Sequence, residues 1–109
     1  MASTLRDHDL AWRMADDLAG RLPAAARVAI FLELGCGQYW NAITMMLSFA
    51  VREELVAPQA LISALCRWLD GYVGNVDEPA TRVLLTRLQF RALERRSRHL
   101  GARTAHGLD

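Results

Sequence analysis

Residues 38–56, QYWNAITMMLSFAVREELV, decide the fold. Wound as a helix at roughly 100° per residue, they gather Asn41, Thr44, Ser48 and Arg52 within about 80° of one another. Tyr39, Trp40, Ile43, Met46, Leu47, Phe49, Ala50 and Val51 then cover the rest of the circumference. A helix apolar over so much of its surface has to be surrounded, so the flanking sequence must supply amphipathic faces.

On the N-terminal side the Gly35-Cys36-Gly37 turn separates it from AAARVAIFLEL, residues 24–34, in which only Arg27 and Glu33 are charged. Val, Ile and Phe favour strands. No partner strand occurs elsewhere, however, and a lone strand leaves its backbone unpaired, so the stretch reads as a helix with Pro23 in its first turn. Gly35 is placed to close that helix in the left-handed conformation, with Gly37 as a second permissive residue. Ahead of the Gly20 and Pro23 break, residues 5–22 carry Leu10, Met14, Leu18 and Leu22 at i, i+4, i+8 and i+12. Thr4 or Ser3 is the expected N-cap of this first helix, with Asp7 as the capping-box acid of Thr4. Leu5 and Trp12 fall off the stripe and either widen the buried face or form a small exposed patch.

On the C-terminal side Pro58 opens PQALISALCRWLDGYV, where Ile62, Leu65, Leu69 and Tyr72 form a stripe opposite Gln59, Ser63, Arg67 and Asp70. Gly74-Asn75 marks a turn, Asp77 or Glu78 can cap, and Pro79 opens a last helix running to about Leu100. Residues 101–109 have no periodic pattern and read as a frayed tail. The inventory predicts an all-α protein with about five helices. These form one domain, residues 1–100, as a compact bundle or orthogonal helical array around the central helix of about residues 38–56.

A chain of 109 residues can bury about 65% of the surface its unfolded form exposes, and so folds without staples. All 13 basic residues are Arg, a skew that coding bias explains more simply than chemistry. The opening MASTLRDHDLAWRMADD holds four aspartates and no uninterrupted apolar run, which argues against a secretory signal and predicts a cytoplasmic protein. The most apolar span, residues 28–51, contains Glu33, Gln38, Asn41 and the glycine turn, so no membrane helix is expected. Cys36 and Cys66 lack CxxC spacing and are expected as two buried free thiols. No spacing calls for a metal or another cofactor.

Charge is unevenly distributed. Between Arg82 and Arg103 there are seven arginines against Glu94 alone, whereas residues 1–81 hold six arginines and ten carboxylates. Arg87, Arg91, Arg95 and Arg98 project within about 80° of each other on the last helix. Leu85, Leu88 and Ala92 lie on one flank of this stripe, and Val83, Phe90 and Leu93 lie on the other. The plain structural account is a helix C-terminus that favours cations, solvated or paired with Asp7, Asp9, Asp16 and Asp17. The functional account is a surface for an acidic partner, with Arg suited by its planar donors. The alternative of nucleic-acid binding by the same helix is opposed by the ten upstream carboxylates and by the lack of aromatics among the arginines.

Other motifs carry less. The third and fourth helices have the lengths of a DNA-binding helix-turn-helix, but the start of the fourth, PQALISAL, is too apolar to read bases. Leu34-Gly35, with Phe31 ahead, fits part of the tetratricopeptide-repeat pattern. Tyr39 falls one place late, the later Ala and Pro positions are unmatched and no second copy occurs, so the fit is an accident of helical-hairpin geometry. Asp7-His8-Asp9 cannot converge on one atom from a helix without help, and Glu33 is expected to be buried and paired with Arg27 or Arg67. The leading expectation is a non-enzymatic protein-protein interaction domain, a homodimer or helical adaptor, using Arg87, Arg91, Arg95, Arg98, Val83, Phe90 and Leu93. A third class, a small-molecule binder or enzyme, would need an apolar pocket lined by Trp40, Met45, Met46 or Trp68.

Overall fold

The structure, a computed structural model, describes the backbone of residues 2–108 and the side chains of residues 7–98. Among the described residues the protein is all-α: α1 (Ala2–Leu18), a 3-10 turn (Ala19–Arg21), α2 (Ala24–Gly35), α3 (Tyr39–Arg52), α4 (Gln59–Asp70) and α5 (Glu78–Leu108). Proline sets two of the starts. Pro23 and Pro58 occupy the N-cap positions of α2 and α4 in extended conformation, one place ahead of the first-turn position expected. Their carbonyls accept the amides of Arg27 and Ile62 at 3.0 and 3.1 Å. Proline cannot extend the hydrogen-bond ladder backward, so the helix begins behind it.

The first helix departs from its predicted bounds at both ends. It starts at Ala2, ahead of both expected caps, Thr4 and Ser3; their side chains and that of Leu5 lie outside the described residues. It ends at Leu18, and the chain tightens into the 3-10 turn before Leu22. There Arg21 donates to the Val56 carbonyl at 2.9 Å and to the Asp17 carbonyl at 3.3 Å, tying the turn to the segment between α3 and α4. At the other end of the chain, α5 carries on to Leu108, past the predicted end near Leu100. Extending a formed helix costs far less than nucleating one, and no proline intervenes.

The turns after α2 and α3 share one hydrogen-bond pattern. After α2, Gln38 N donates to Glu33 O at 2.9 Å and Gly37 N to Leu34 O at 3.1 Å, the paired bonds of a Schellman closure. The left-handed residue is Gly37, at φ 75°, and not Gly35, which still belongs to the helix. After α3, Leu55 N donates to Ala50 O at 2.9 Å and Glu54 N to Val51 O at 3.2 Å. Here the left-handed position is held by Glu54, at φ 55°.

The central helix is enclosed much as its composition demands. α3 packs against α1, α2 and α5, while α4 packs against α1 and α5. Ile43, Met46 and Leu47 are fully buried, together with Met14 and Leu18 of α1, Ile30 of α2, Leu61, Ile62, Leu65 and Leu69 of α4, and Leu85 and Leu88 of α5. Burying each such side chain contributes about 1.5–3 kcal/mol. The narrow polar stripe of α3 faces water: Asn41, Ser48 and Arg52 are exposed, and half-buried Thr44 donates back to the Trp40 and Asn41 carbonyls at 3.1 Å. No helix among the described residues is long and apolar enough to cross a membrane.

Candidate functional site

Helix α5 lies against both α3 and α4, and these neighbours can cover only one side of it. Leu85 and Leu88 are 1% exposed and Ala92 is buried with them, whereas Val83, Phe90 and Leu93 are 53%, 63% and 56% exposed. The two apolar flanks therefore have different fates. A helix apolar on opposite sides cannot bury both against one domain, and which side is left over is a property of the packing.

The arginine stripe runs along the exposed side. Arg87, Arg95 and Arg98 are exposed and Arg91 is half-buried. Among the described residues, none of these guanidinium groups pairs with the carboxylates of α1. Arg91 instead meets Glu54 at 3.6 Å, and Arg98 meets Glu94 one turn back on its own helix at 3.4 Å. Of the α1 acids, Asp7 is engaged elsewhere and Asp9 contacts His8 at 3.3 Å. The pairing of the stripe with the first helix that charge alone suggested is thus not formed among the described residues. At the start of α5, Arg82 is fixed by Asp70 at 3.0 Å and Glu78 at 3.6 Å, which raises its pKa through the Asp70 hydrogen bond first.

Between the end of α3 and the exposed side of α5 runs a groove of about 370 Å³. Ala50, Val51, Leu55 and Leu88 give it an apolar lining, and Phe90, Arg87, Arg91, Glu54 and Glu94 border it. Glu54 reaches this rim from the left-handed position that closes α3. The groove and the Val83, Phe90 and Leu93 flank share Phe90, so apolar surface is continuous from the groove onto the outer side of α5.

A second polar assembly was not read from the sequence. The Asp7 carboxylate accepts the indole N–H of Trp68 and the hydroxyl of Tyr72, both at 2.6 Å. Trp40 packs on both aromatic partners, with ring centres 4.9 Å from Trp68 and 4.8 Å from Tyr72. Burial, followed by the hydrogen bond to Asp7, pushes the Tyr72 phenol up to about 12. The cluster ties Asp7 of α1 and Trp40 of α3 to Trp68 and Tyr72 at the end of α4. The sequence signal, Trp68 and Tyr72 one helical turn apart, gave no hint of which acid they meet.

The remaining expectations resolve singly. His8 stacks edge-on to Tyr39 at 5.1 Å, and Asp7 and Asp9 serve different partners, so Asp7-His8-Asp9 does not converge. Among the described residues no three His, Cys, Asp or Glu side chains form a metal-holding group. Glu33 is half-buried rather than buried, and no ion pair with Arg27 or Arg67 forms among the described residues; a carboxylate that still meets water needs none. Both cysteines are free, but Cys36 is exposed and Cys66 half-buried, because Cys36 caps α2 at the outside of the turn. Burial raises the Cys66 thiol pKa, with Asp70 adding to the effect. Trp40 and Trp68 border different grooves, Trp68 with Asp9, Arg13 and Arg67 and Trp40 with Asn41, Thr44 and Asp77, while Met46 is closed inside the core. Comparison with family models, with curated proteins and with solved structures finds no match.

Proposed function

We propose that this chain is a non-enzymatic helical interaction domain whose α5 docks an acidic protein surface carrying apolar anchors. The observation that carries the reading is the exposed Val83, Phe90 and Leu93 flank running beside arginines that no α1 carboxylate neutralises. Apolar area supplies the binding free energy and the arginines supply orientation and encounter rate. Phe90 and Arg91 are the residue types that dominate such contacts. A protein partner fits better than nucleic acid, because Arg91 and Arg98 are each turned toward a carboxylate and the ground beside them is apolar. A cytoplasmic place of action belongs to the same proposal.

The test is a fluorescence-anisotropy titration with a labelled amphipathic helical peptide, leucine on one face and glutamate on the other. Saturable binding is expected at low salt, weakening as salt rises. Arg91→Glu with Arg95→Glu, and separately Phe90→Ala, should each weaken it roughly tenfold or more. Binding unchanged in both variants removes the reading. Binding of a DNA duplex that is stronger than that of the peptide, and lost in the same charge-reversed variant, replaces it with the nucleic-acid alternative.

A further inference from the structure

We propose that the groove between α3 and α5 seats the apolar anchors of an acidic amphipathic helix from a partner protein, and that Glu54 is the chain's own stand-in for that helix's carboxylate on Arg91; this rests on the reading of α5 as a docking surface. A helix laid in such a groove presents anchors one turn apart. The groove of about 370 Å³ offers them Val51, Leu55 and Leu88, with Phe90 at its edge. Phe90 is 63% exposed, which leaves ring surface for an entering side chain to cover. Val83, Arg87, Phe90 and Glu94 follow one another at i, i+4, i+7 and i+11 on α5, so apolar and charged contacts alternate along one edge.

Charge selects the occupant. Five arginines lie between residues 87 and 98, and against the carboxylates of Glu54 and Glu94 they leave a surplus of three positive charges. Arg96 donates to the Gln59 side chain at 3.0 Å and Arg98 meets Glu94 at 3.4 Å. Arg87, on the edge of the groove, and Arg95 meet no carboxylate among the described residues. Glu54 shows what this edge accepts. Its carboxylate reaches Arg91 at 3.6 Å while the side chain stays 70% exposed. A contact that long and that wet is weak, and the side chain can swing into water without altering its backbone φ. An incoming glutamate therefore takes over Arg91 at little cost and finds Arg87 beside it. Until it does, Glu54 opposes binding twice, by occupying Arg91 and by repelling the approaching acid.

Anisotropy titrations with the labelled leucine–glutamate helical peptide test this in about 0.1 M salt, where charges beyond roughly 10 Å are screened. Glu54→Gln should bind the peptide roughly two- to fivefold more tightly than the native chain, the scale of a weak exposed ion pair. Glu53→Gln removes the same charge from the neighbouring exposed residue and should change binding by less than about twofold. The gain from Glu54→Gln should vanish in an Arg91→Gln background, because the two residues act through one contact. Thr86→Trp fills the groove from an exposed position, and Val51→Phe is an independent second version; each should weaken binding roughly tenfold. Unchanged far-ultraviolet circular dichroism checks the fold of every variant. The proposal is overturned if Glu54→Gln gains no more than Glu53→Gln, if the gain survives without Arg91, or if both groove-filling variants bind like the native chain. Any of these outcomes, with binding still lost on reversing Arg91 and Arg95, leaves α5 a docking surface engaged elsewhere along its length. A native chain that does not bind the peptide removes the underlying reading, and this inference with it.

Discussion

Replacing Glu54 by glycine and by alanine separates backbone strain from side-chain contacts at the end of α3. Glu54 holds φ 55° in a closure whose hydrogen bonds match those at Gly37. A residue with a Cβ pays about 1–2 kcal/mol in the left-handed region, whereas glycine pays little there but gains freedom in the unfolded chain worth about 0.4–1 kcal/mol. Both replacements lose the same carboxylate, whose exposed contact with Arg91 at 3.6 Å contributes about 0–1 kcal/mol. The carboxylate therefore cancels from the comparison. Glu54→Gly should be more stable than Glu54→Ala by about 0.5–1 kcal/mol, or roughly 3–6 °C in melting temperature. Gly37→Ala should cost a similar amount, since an added Cβ there meets nothing within 4 Å and only the φ of 75° opposes it. Urea unfolding followed by circular dichroism measures all three differences. If alanine equals or exceeds glycine at position 54, the residue is not left-handed in solution and the strain argument fails.

Three further outcomes follow from the core and the polar cluster. Leu47→Ala, at a fully buried position of α3, should cost about 2–5 kcal/mol, while Ser48→Ala next to it, on the exposed stripe, should stay within about 0.5 kcal/mol in urea unfolding. The folded state holds the Tyr72 proton up to about pH 12, while the unfolded chain releases it from about pH 10. Raising the pH through that window therefore favours unfolding. Melting temperatures of the native chain should fall more steeply there than those of Tyr72→Phe; parallel curves would refute the assignment. Exposed Cys36 should react with a thiol reagent at mildly alkaline pH well before Cys66, whose thiolate is disfavoured by burial; equal rates in single-cysteine variants would count against the packing around Cys66.

Much of the fold was legible because local chemistry and packing agree in this chain. Pro23 and Pro58 force helix starts whatever lies around them, and the stripes of Leu10, Met14 and Leu18 or of Ile62, Leu65 and Leu69 have only one side to bury. Where a local rule left two solutions, the sequence was silent. Both flanks of α5 are apolar, and only the arrangement of α3 and α4 selects Leu85 and Leu88 for the core while leaving Phe90 outside. Charge pattern misled for the same reason: the acids of α1 and the arginines of α5 are complementary in number, but the domain holds them apart. Glu54 was invisible because hydrogen bonding of the closure, not residue preference, sets its φ. The Asp7 cluster depends on contacts between distant segments, which no periodicity reports.

The two anchors of α1 bear on the order in which the domain can assemble. Asp7 is bonded to residues 61 and 65 positions ahead of it, and Arg21, just past the end of the helix, to a carbonyl 35 positions ahead. Both ends of the first helix are thus clasped by chain that follows it, and closing such long loops is an entropic cost met before the contacts repay it. A chain emerging from its N-terminus holds α1 before either clasp can close, since the Val56 carbonyl follows Arg21 by 35 positions and the Tyr72 hydroxyl follows Asp7 by 65. Both clasps of α1 are thus complete only once the chain has passed Tyr72, just beyond the end of α4.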